Sequence, residues 1–263
     1  MKKIIYLLLV VFLASCKKED KIIPTLSFIV PTRAVGDPEF TIRAPQSNSD
    51  GSFSYSSSNA AVATVSGTTI RIAGVGTTTI KAVQSASRNY GAAEIETTFT
   101  VVPTGTLVAG QFYAGGIIVH LLTVSGVQRG YIVSEDDIST SAPWTPGSLD
   151  ATTATGTAIG TGAANTAKII ATFGDGSYAA KLCTDYRGGG YTDWFLPSSL
   201  ELSLLGTRKS VIGNIAETVY WSSSEVSTNI GNANYVFMGP AAASSVTGFS
   251  KTYRYKVRAF RYF

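Results

Sequence analysis

Apolar residues along this chain first run together and then alternate. Behind Lys2 and Lys3 lies an unbroken apolar stretch from Ile4 to Leu13. It is too short to span a bilayer as a free helix, which needs about 20 residues, and it has the shape of the core of a secretory leader. From residue 24 onward β-forming residues alternate or cluster in short runs: Leu26 to Val30, Phe40 to Ala44, Phe53 to Ser57, Val62 to Val65, Thr69 to Ile72, Thr77 to Val83 and Thr97 to Val102. Pro, Gly, Asn and Asp punctuate them. The pattern predicts a run of short strands closed by turns, and so an all-β sandwich over 24–103.

Val102 to Gly105 reads as a linker, and the pattern changes beyond it. Ile117 to Leu122 and Tyr131 to Ser134 predict strands. Ala163 to Phe173 carries Ala167, Ile170, Ala171 and Phe173 and predicts a helix after the Gly160 to Gly162 turn. Tyr178 to Tyr186 predicts a second helix, with Ala179, Leu182, Cys183 and Tyr186 on one stripe. Pro197 and Ser198 open a third, in which Ser198 and Glu201 have the spacing of a capping box. Strands return at Val219 to Ser222, Asn234 to Met238 and Tyr253 to Tyr262. A few helices among many strands make 104–263 an α+β domain.

Charge changes this picture only at the N-terminus. The net charge is +4, but residues 1–23 hold five basic and two acidic groups, residues 24–103 five of each, and residues 104–263 eleven against ten. The body of the chain is nearly neutral, which removes the support for a general nucleic-acid surface. Two Cys and one His exclude a disulfide scaffold and a multi-Cys zinc site.

Three segments resemble known families. Leu13-Ala14-Ser15-Cys16 is similar to a bacterial lipobox, which implies a leader over 1–15, lipidation of Cys16 and a tether over 16–23. Lys18-Glu19-Asp20 resembles the surface-export signal of Bacteroidota-type lipoproteins. Together they imply an outer-membrane, lipid-anchored, cell-surface protein that meets the membrane through its anchor only. Tyr55 to Ser66, followed by Ile72 to Ile80 with Gly74 and Gly76, resembles the bacterial Ig-like group 2 family. There the two glycines would turn the chain and Val62, Val65, Ile70, Ile72 and Ile80 would fill the core. Tyr113 to Ile118, Thr155 to Thr166, Gly189 to Ser198, Tyr220 to Glu225 and Val257 to Arg261 together resemble the Lcl C-terminal domain, a domain of unknown function. That resemblance implies a C-type-lectin-like fold and, from its adhesin members, binding to sulfated glycans or host matrix.

Candidate chemistry is sparse. His120, in an apolar strand with Ile118 and Leu122 on its face, reads as structural. Cys183 has no second thiol beyond Cys16, which disfavours the formylglycine-generating oxidases that share the lectin-like fold and need a Cys pair. Glu135-Asp136-Asp137 is a solvated turn more readily than a calcium site, since adjacent residues point different ways and the calcium-lectin signatures Glu-Pro-Asn and Trp-Asn-Asp are absent. Asp193 is expected to hold its loop by accepting backbone N–H bonds. Trp194 and Trp221 are expected in the core, and Trp144, between Pro143 and Pro146, on the surface where it can stack on a sugar. In the last strand Arg254, Lys256 and Arg258 alternate onto one face, with a spacing that suits a polyanion. The competing expectation pairs Arg258 with Glu225 or Glu201.

The sequence therefore describes a non-catalytic surface lipoprotein with no metal and no cofactor. It would bind a glycan, sulfated or not, or an extracellular protein through Arg254, Lys256 and Trp144. The alternatives are an accessory subunit of a surface assembly and, more remotely, an oxidase-like enzyme. Cys16→Ala is expected to abolish incorporation of labelled palmitate and retention in the membrane fraction. Labelling of the variant at the wild-type level would refute the lipobox.

Overall fold

The structure is a computed structural model that describes residues 21–239 and 243–263, with side chains omitted from 243 to 247. Cys16 and the leader lie outside the described residues. Among the described residues, no helix is long and apolar enough to cross a membrane.

Alternation builds the first half. Nine strands run β1 Leu26–Ser27, β2 Arg33–Ala34, β3 Phe40–Thr41, β4 Gln46–Ser47, β5 Phe53–Ser57, β6 Ala63–Ser66, β7 Thr69–Ile72, β8 Gly76–Gln84 and β9 Ala93–Val102. They form a four-stranded sheet β2-β9-β8-β5, a three-stranded sheet β3-β7-β6 and the pair β1-β4. On β8 the side chains of Thr78, Ile80, Ala82 and Gln84 are buried in strict alternation, which is the period-2 pattern of a half-buried strand. Ile80, Ala82, Phe99 and Val101 from one sheet meet Ala63 and Ile70 from the other in a single apolar core with Val62. Val65 and Ile72 lie half-buried at its edge. Gly76 sits at φ +142°, where a Cβ would also meet Val62 at 2.9 Å. The turn therefore needs glycine at this position.

The second half continues with β10 Phe112–Tyr113, β11 Gly116–Val124, β12 Val127–Val133 and β13 Ser139–Pro143. Then come α1 Gly162–Phe173, α2 Ala179–Asp185 and α3 Ser199–Ile212, followed by β14 Val219–Glu225, β15 Asn232–Met238, β16 Ala243–Ser250, β17 Arg254–Val257 and β18 Phe260–Tyr262. They make a sheet β10-β11-β12-β18 and a sheet β13-β17-β14-β15-β16. In the second sheet β14 and β17 run parallel. Two apolar cores lie within 107–263, one around Trp144, Trp194 and Trp221, the other around Phe195, Leu202, Leu205 and Phe260. The capping box of α3 is formed: Ser198 Oγ accepts from Glu201 N–H and the Glu201 side chain accepts from Ser198 N–H. Gly115 and Gly189, from separate loops, meet so closely that a Cβ on Gly189 would lie 2.6 Å from the Gly115 Cα. Each has positive φ, so neither position accepts a side chain.

Several sequence expectations shift. The single strand over 253–262 is two strands in different sheets. Arg258 and Ala259 lie between them, and both are fully buried because the crossing chain is covered on both sides. A bulge between Ile118 and His120 puts Ile118 in one core and Leu122 at the other, so the two do not share a face. Helix α1 forms, but its inward stripe is Asn165, Thr166 and Ile169, while Ala167 and Ala171 are exposed. Thr166 earns that place by exchanging hydrogen bonds with the backbone of Leu196.

The two halves touch. Phe112 N–H donates to Thr32 C=O at 2.9 Å and Thr32 N–H to Gly110 C=O at 3.2 Å. Arg43 pairs with Asp136.

Arg258 does not pair with Glu225 or Glu201. Its Nε donates to Asp137 Oδ1 at 2.6 Å, and its Nη1 donates to the carbonyls of Ser134 and Glu135 at 2.7 and 2.8 Å. Arg258→Ala is therefore expected to cost about 3–5 kcal/mol by leaving Asp137 short of its buried partner. Arg254→Ala, at an exposed position, should stay within about 0.5 kcal/mol. Urea midpoints of the two variants check this, and similar midpoints would refute it.

Candidate functional site

The proposed ligand residues do not come together. Trp144 is fully buried, with Nε1–H donating to Ser222 C=O at 2.8 Å and its ring edge-on to Phe173. This corrects the expectation of an exposed sugar-stacking ring: Trp144 directly follows β13, its N–H donates to Lys251 C=O, and the indole packs into the core. Lys256 is half-buried, and its Nζ donates to Asp137 Oδ2 at 2.7 Å. Arg258 is consumed by the same carboxylate. The expected row of three free cations is thus reduced to Arg254, which is exposed.

Asp137 is consequently not part of a solvated turn. Its side chain is only 11% exposed, and it also accepts from Tyr220 Oη–H at 3.3 Å. Burial and the Asp137 charge push the Tyr220 phenol well above its ordinary pKa. Among the described residues no group of three or more His, Cys, Asp or Glu is arranged to hold a metal. Cys183 is buried, and burial raises its pKa well above the usual thiol value, which makes it a poor nucleophile. Asp193 accepts from Arg261 Nε rather than from backbone N–H groups. Trp194 and Trp221 lie in the core as expected.

A second buried pair sits at the end of β14. Lys251 Nζ donates to Glu225 Oε2 at 2.6 Å and to Asp150 C=O at 3.1 Å, and lies 4.6 Å from the Trp144 ring centroid. Glu225 Oε2 also accepts from Thr152 N–H and Oγ1–H, both at 2.9 Å. The preceding serines are buried as well. Ser222 Oγ donates to Asn234 C=O and Ser224 Oγ to Gly156 C=O, each at 2.7 Å, and Ser223 Oγ accepts from Asn165. This polar strand ties the loop before α1, α1 itself and β15 together.

The outward chemistry lies on the sheet β13-β17-β14-β15-β16. Alternation turns Tyr253 and Tyr255 away from Arg254 and Lys256, as the sequence pattern implies. They join Tyr235 of β15 and Phe249 of β16. Phe249 and Tyr253 pack edge-to-face with centroids 4.6 Å apart, Tyr235 lies 5.4 Å from Tyr255, and Trp221 backs Tyr255 at 4.5 Å. Tyr253 is 52% and Phe249 38% exposed. Ring-on-ring packing holds the set rigid while one side remains open. The sequence pattern did not single out this cluster. Its signal was the repeated Tyr in 253–255, but Tyr235 and Phe249 reach it only through strand pairing.

Comparisons with known proteins bear mainly on the first half. Residues 41–92 match the family model of the bacterial Ig-like domain (group 2). The β-sandwich is thus an Ig-like domain, which agrees with the resemblance carried by residues 55–80. No curated protein matches the chain. Among solved structures, the chain is similar to a fimbrial protein from Bacteroides ovatus ATCC 8483, with 14% identity and a TM-score of 0.46 over 91% of this chain and 70% of that one. It has fainter likenesses, at 12% identity and a TM-score of 0.21, to an EHEC O157:H7 intimin mutant (86% of this chain, 84% of that one) and to an intimin–Tir90 complex (92% and 99%).

Burial, the largest influence on Glu225, favours its neutral form. The hydrogen bonds from Lys251 and Thr152 outweigh it and hold the carboxyl below its ordinary pKa. A lowered folded pKa stabilises the fold above the unfolded value, about 4.3. That contribution is lost as pH falls through the folded value. Urea unfolding from pH 7 down to pH 3, run in parallel on Glu225→Gln, should show a smaller acid-side loss in the variant. Equal slopes would refute the assignment.

Proposed function

We propose that the protein is a lipid-anchored surface protein of the Bacteroidota-type outer membrane and that it binds extracellular glycan without catalysing a reaction. In this reading Cys16 carries the lipid, residues 16–23 form the tether, and the Ig-like domain within 24–103 is a spacer. Residues 104–263 are a C-type-lectin-like domain of the Lcl C-terminal type. The Ig-like match supports the spacer, and the lipobox and five sequence blocks support the rest.

The observation that carries the binding reading is the open aromatic face of Tyr235, Phe249, Tyr253 and Tyr255. The C–H faces of a sugar ring pack against aromatic rings, and a preformed ring cluster loses little conformational entropy on binding. Arg254 stands on the opposite face of its strand, so this reading relies on stacking more than on sulfate recognition. The non-catalytic reading draws on the inert setting of Cys183 and on the two buried ion pairs, which are closed by their own partners.

A glycan array with the purified chain tests the proposal. Tyr253→Ala combined with Phe249→Ala should weaken the strongest glycan signal by about tenfold or more, with melting little changed. Because stacking is not screened by salt while exposed charges are, binding should persist in high salt. Retention on heparin lost through Arg254→Ala alone would move the site to the cationic face. A blank array beside co-purification with a neighbouring surface protein would favour the assembly subunit instead.

A further inference from the structure

Three cations are buried among the described residues: Arg33, Lys251 and Arg258. Two have carboxylates within 2.6 Å. Arg33 differs. It is 7% exposed, its Nε is shut off from water without a hydrogen-bond partner, and it has no ion pair among the described residues. Phe40 of the Ig-like domain and Phe112 of the second half hold its guanidinium between them, at 4.2 and 3.9 Å from their ring centroids. Cation–π contact offsets part of the cost of burial, but rings accept no in-plane hydrogen bonds. The charges of Glu135 and Asp37 favour the charged guanidinium from beyond ion-pair distance, and Asp37, whose Oδ2 accepts from Ala34 N–H, also lines the groove beside it.

Arg33 lines a groove of about 510 Å³ between the two halves. Gln111 lines it too. Gln111 is buried, and because its Oε1 accepts from Val108 N–H at 3.0 Å its amide NH2 is the donor end of the side chain. The other walls include Val35, Pro38, Leu107 and Tyr113. One guanidinium without an ion pair, one amide donor and an apolar wall together match a carboxylate carried beside an apolar group. A guanidinium binds a carboxylate through paired in-plane bonds, and with Nε enclosed the pair available on Arg33 is Nη1 and Nη2. A polysaccharide fits less well, because Val35, Pro38 and Leu107 offer its hydroxyls nothing.

We propose that this groove is a second binding site, one that takes the C-terminal carboxylate of an extracellular peptide on Arg33 and Gln111, with the apolar last side chain against Val35, Pro38 and Leu107. The site lies at the seam of the two halves, so its occupant would also brace one half against the other. It does not depend on the aromatic face.

The test titrates the purified chain with N-acetyl-leucine and with N-acetyl-leucinamide, followed at the Arg33 Nε–H resonance by NMR. The acid should shift this resonance saturably, and the amide should bind about tenfold more weakly or worse. Arg33→Gln should abolish the preference for the acid, read from the surrounding backbone resonances. If that variant does not fold, the acid-against-amide comparison on the unaltered chain still decides. Equal binding of acid and amide, or no saturable shift beyond that of matched sodium chloride, would overturn the site. Dodecanoate that displaces N-acetyl-leucine and binds far more tightly would overturn the peptide assignment in favour of a lipid carboxylate.

Discussion

Glu225 and Lys251 are a carboxylate and an ammonium placed where water does not reach, and much of the second half is arranged around keeping them together. A buried charge that loses its partner costs several kcal/mol. The elements that bring the two together must therefore hold their positions. Glu225 ends β14, and Lys251 follows β16 on the far side of β15. Thr152 and Asp150, from the long loop before α1, complete the hydrogen bonds, and Trp144 roofs the ammonium. One ion pair thus ties a loop, a strand and a turn from three separate parts of the chain.

Asp137 repeats the device at the crossing between sheets. The chain leaves β17 and enters β18 through Arg258, and the guanidinium is satisfied by Asp137 and by the carbonyls of Ser134, Glu135 and Asn214. Lys256 and Arg258 are both drawn inward by this one carboxylate. The surface left to this sheet is therefore aromatic on one side and carries a single free charge on the other. The open face of Tyr253 and Phe249 follows from the same alternation that sends Lys256 inward.

Local features of the fold were legible before any contact was known. Ser198 and Glu201 sit three residues apart and form their capping box through neighbouring atoms. Phe53 to Ser57 and Thr69 to Ile72 are strands with the bounds their patterns predict. By contrast, β16 was missed because Ala243 to Ser250 mixes small, polar and β-branched residues without clear alternation. Its pairing with β15 supplies the order that its own pattern lacks. The break at Arg258 was hidden because the side chains continue to alternate through it.

The sequence by itself determined the capping box at Ser198 and Glu201, the strands at Phe53 to Ser57 and Thr69 to Ile72, the glycine turn at Gly76, and the Ig-like character of the segment around them. Those properties depend on backbone preferences and on periods of a few residues. Tertiary structure alone decided that Trp144 faces inward, that Asp137 answers Arg258, that Tyr235 and Phe249 join Tyr253, and that Arg33 lies between two rings at a seam. Each of these depends on which distant segment arrives as a neighbour. A side chain's partner is set by the packing of whole elements, because burial removes water as the alternative partner and leaves only what the fold has brought within reach.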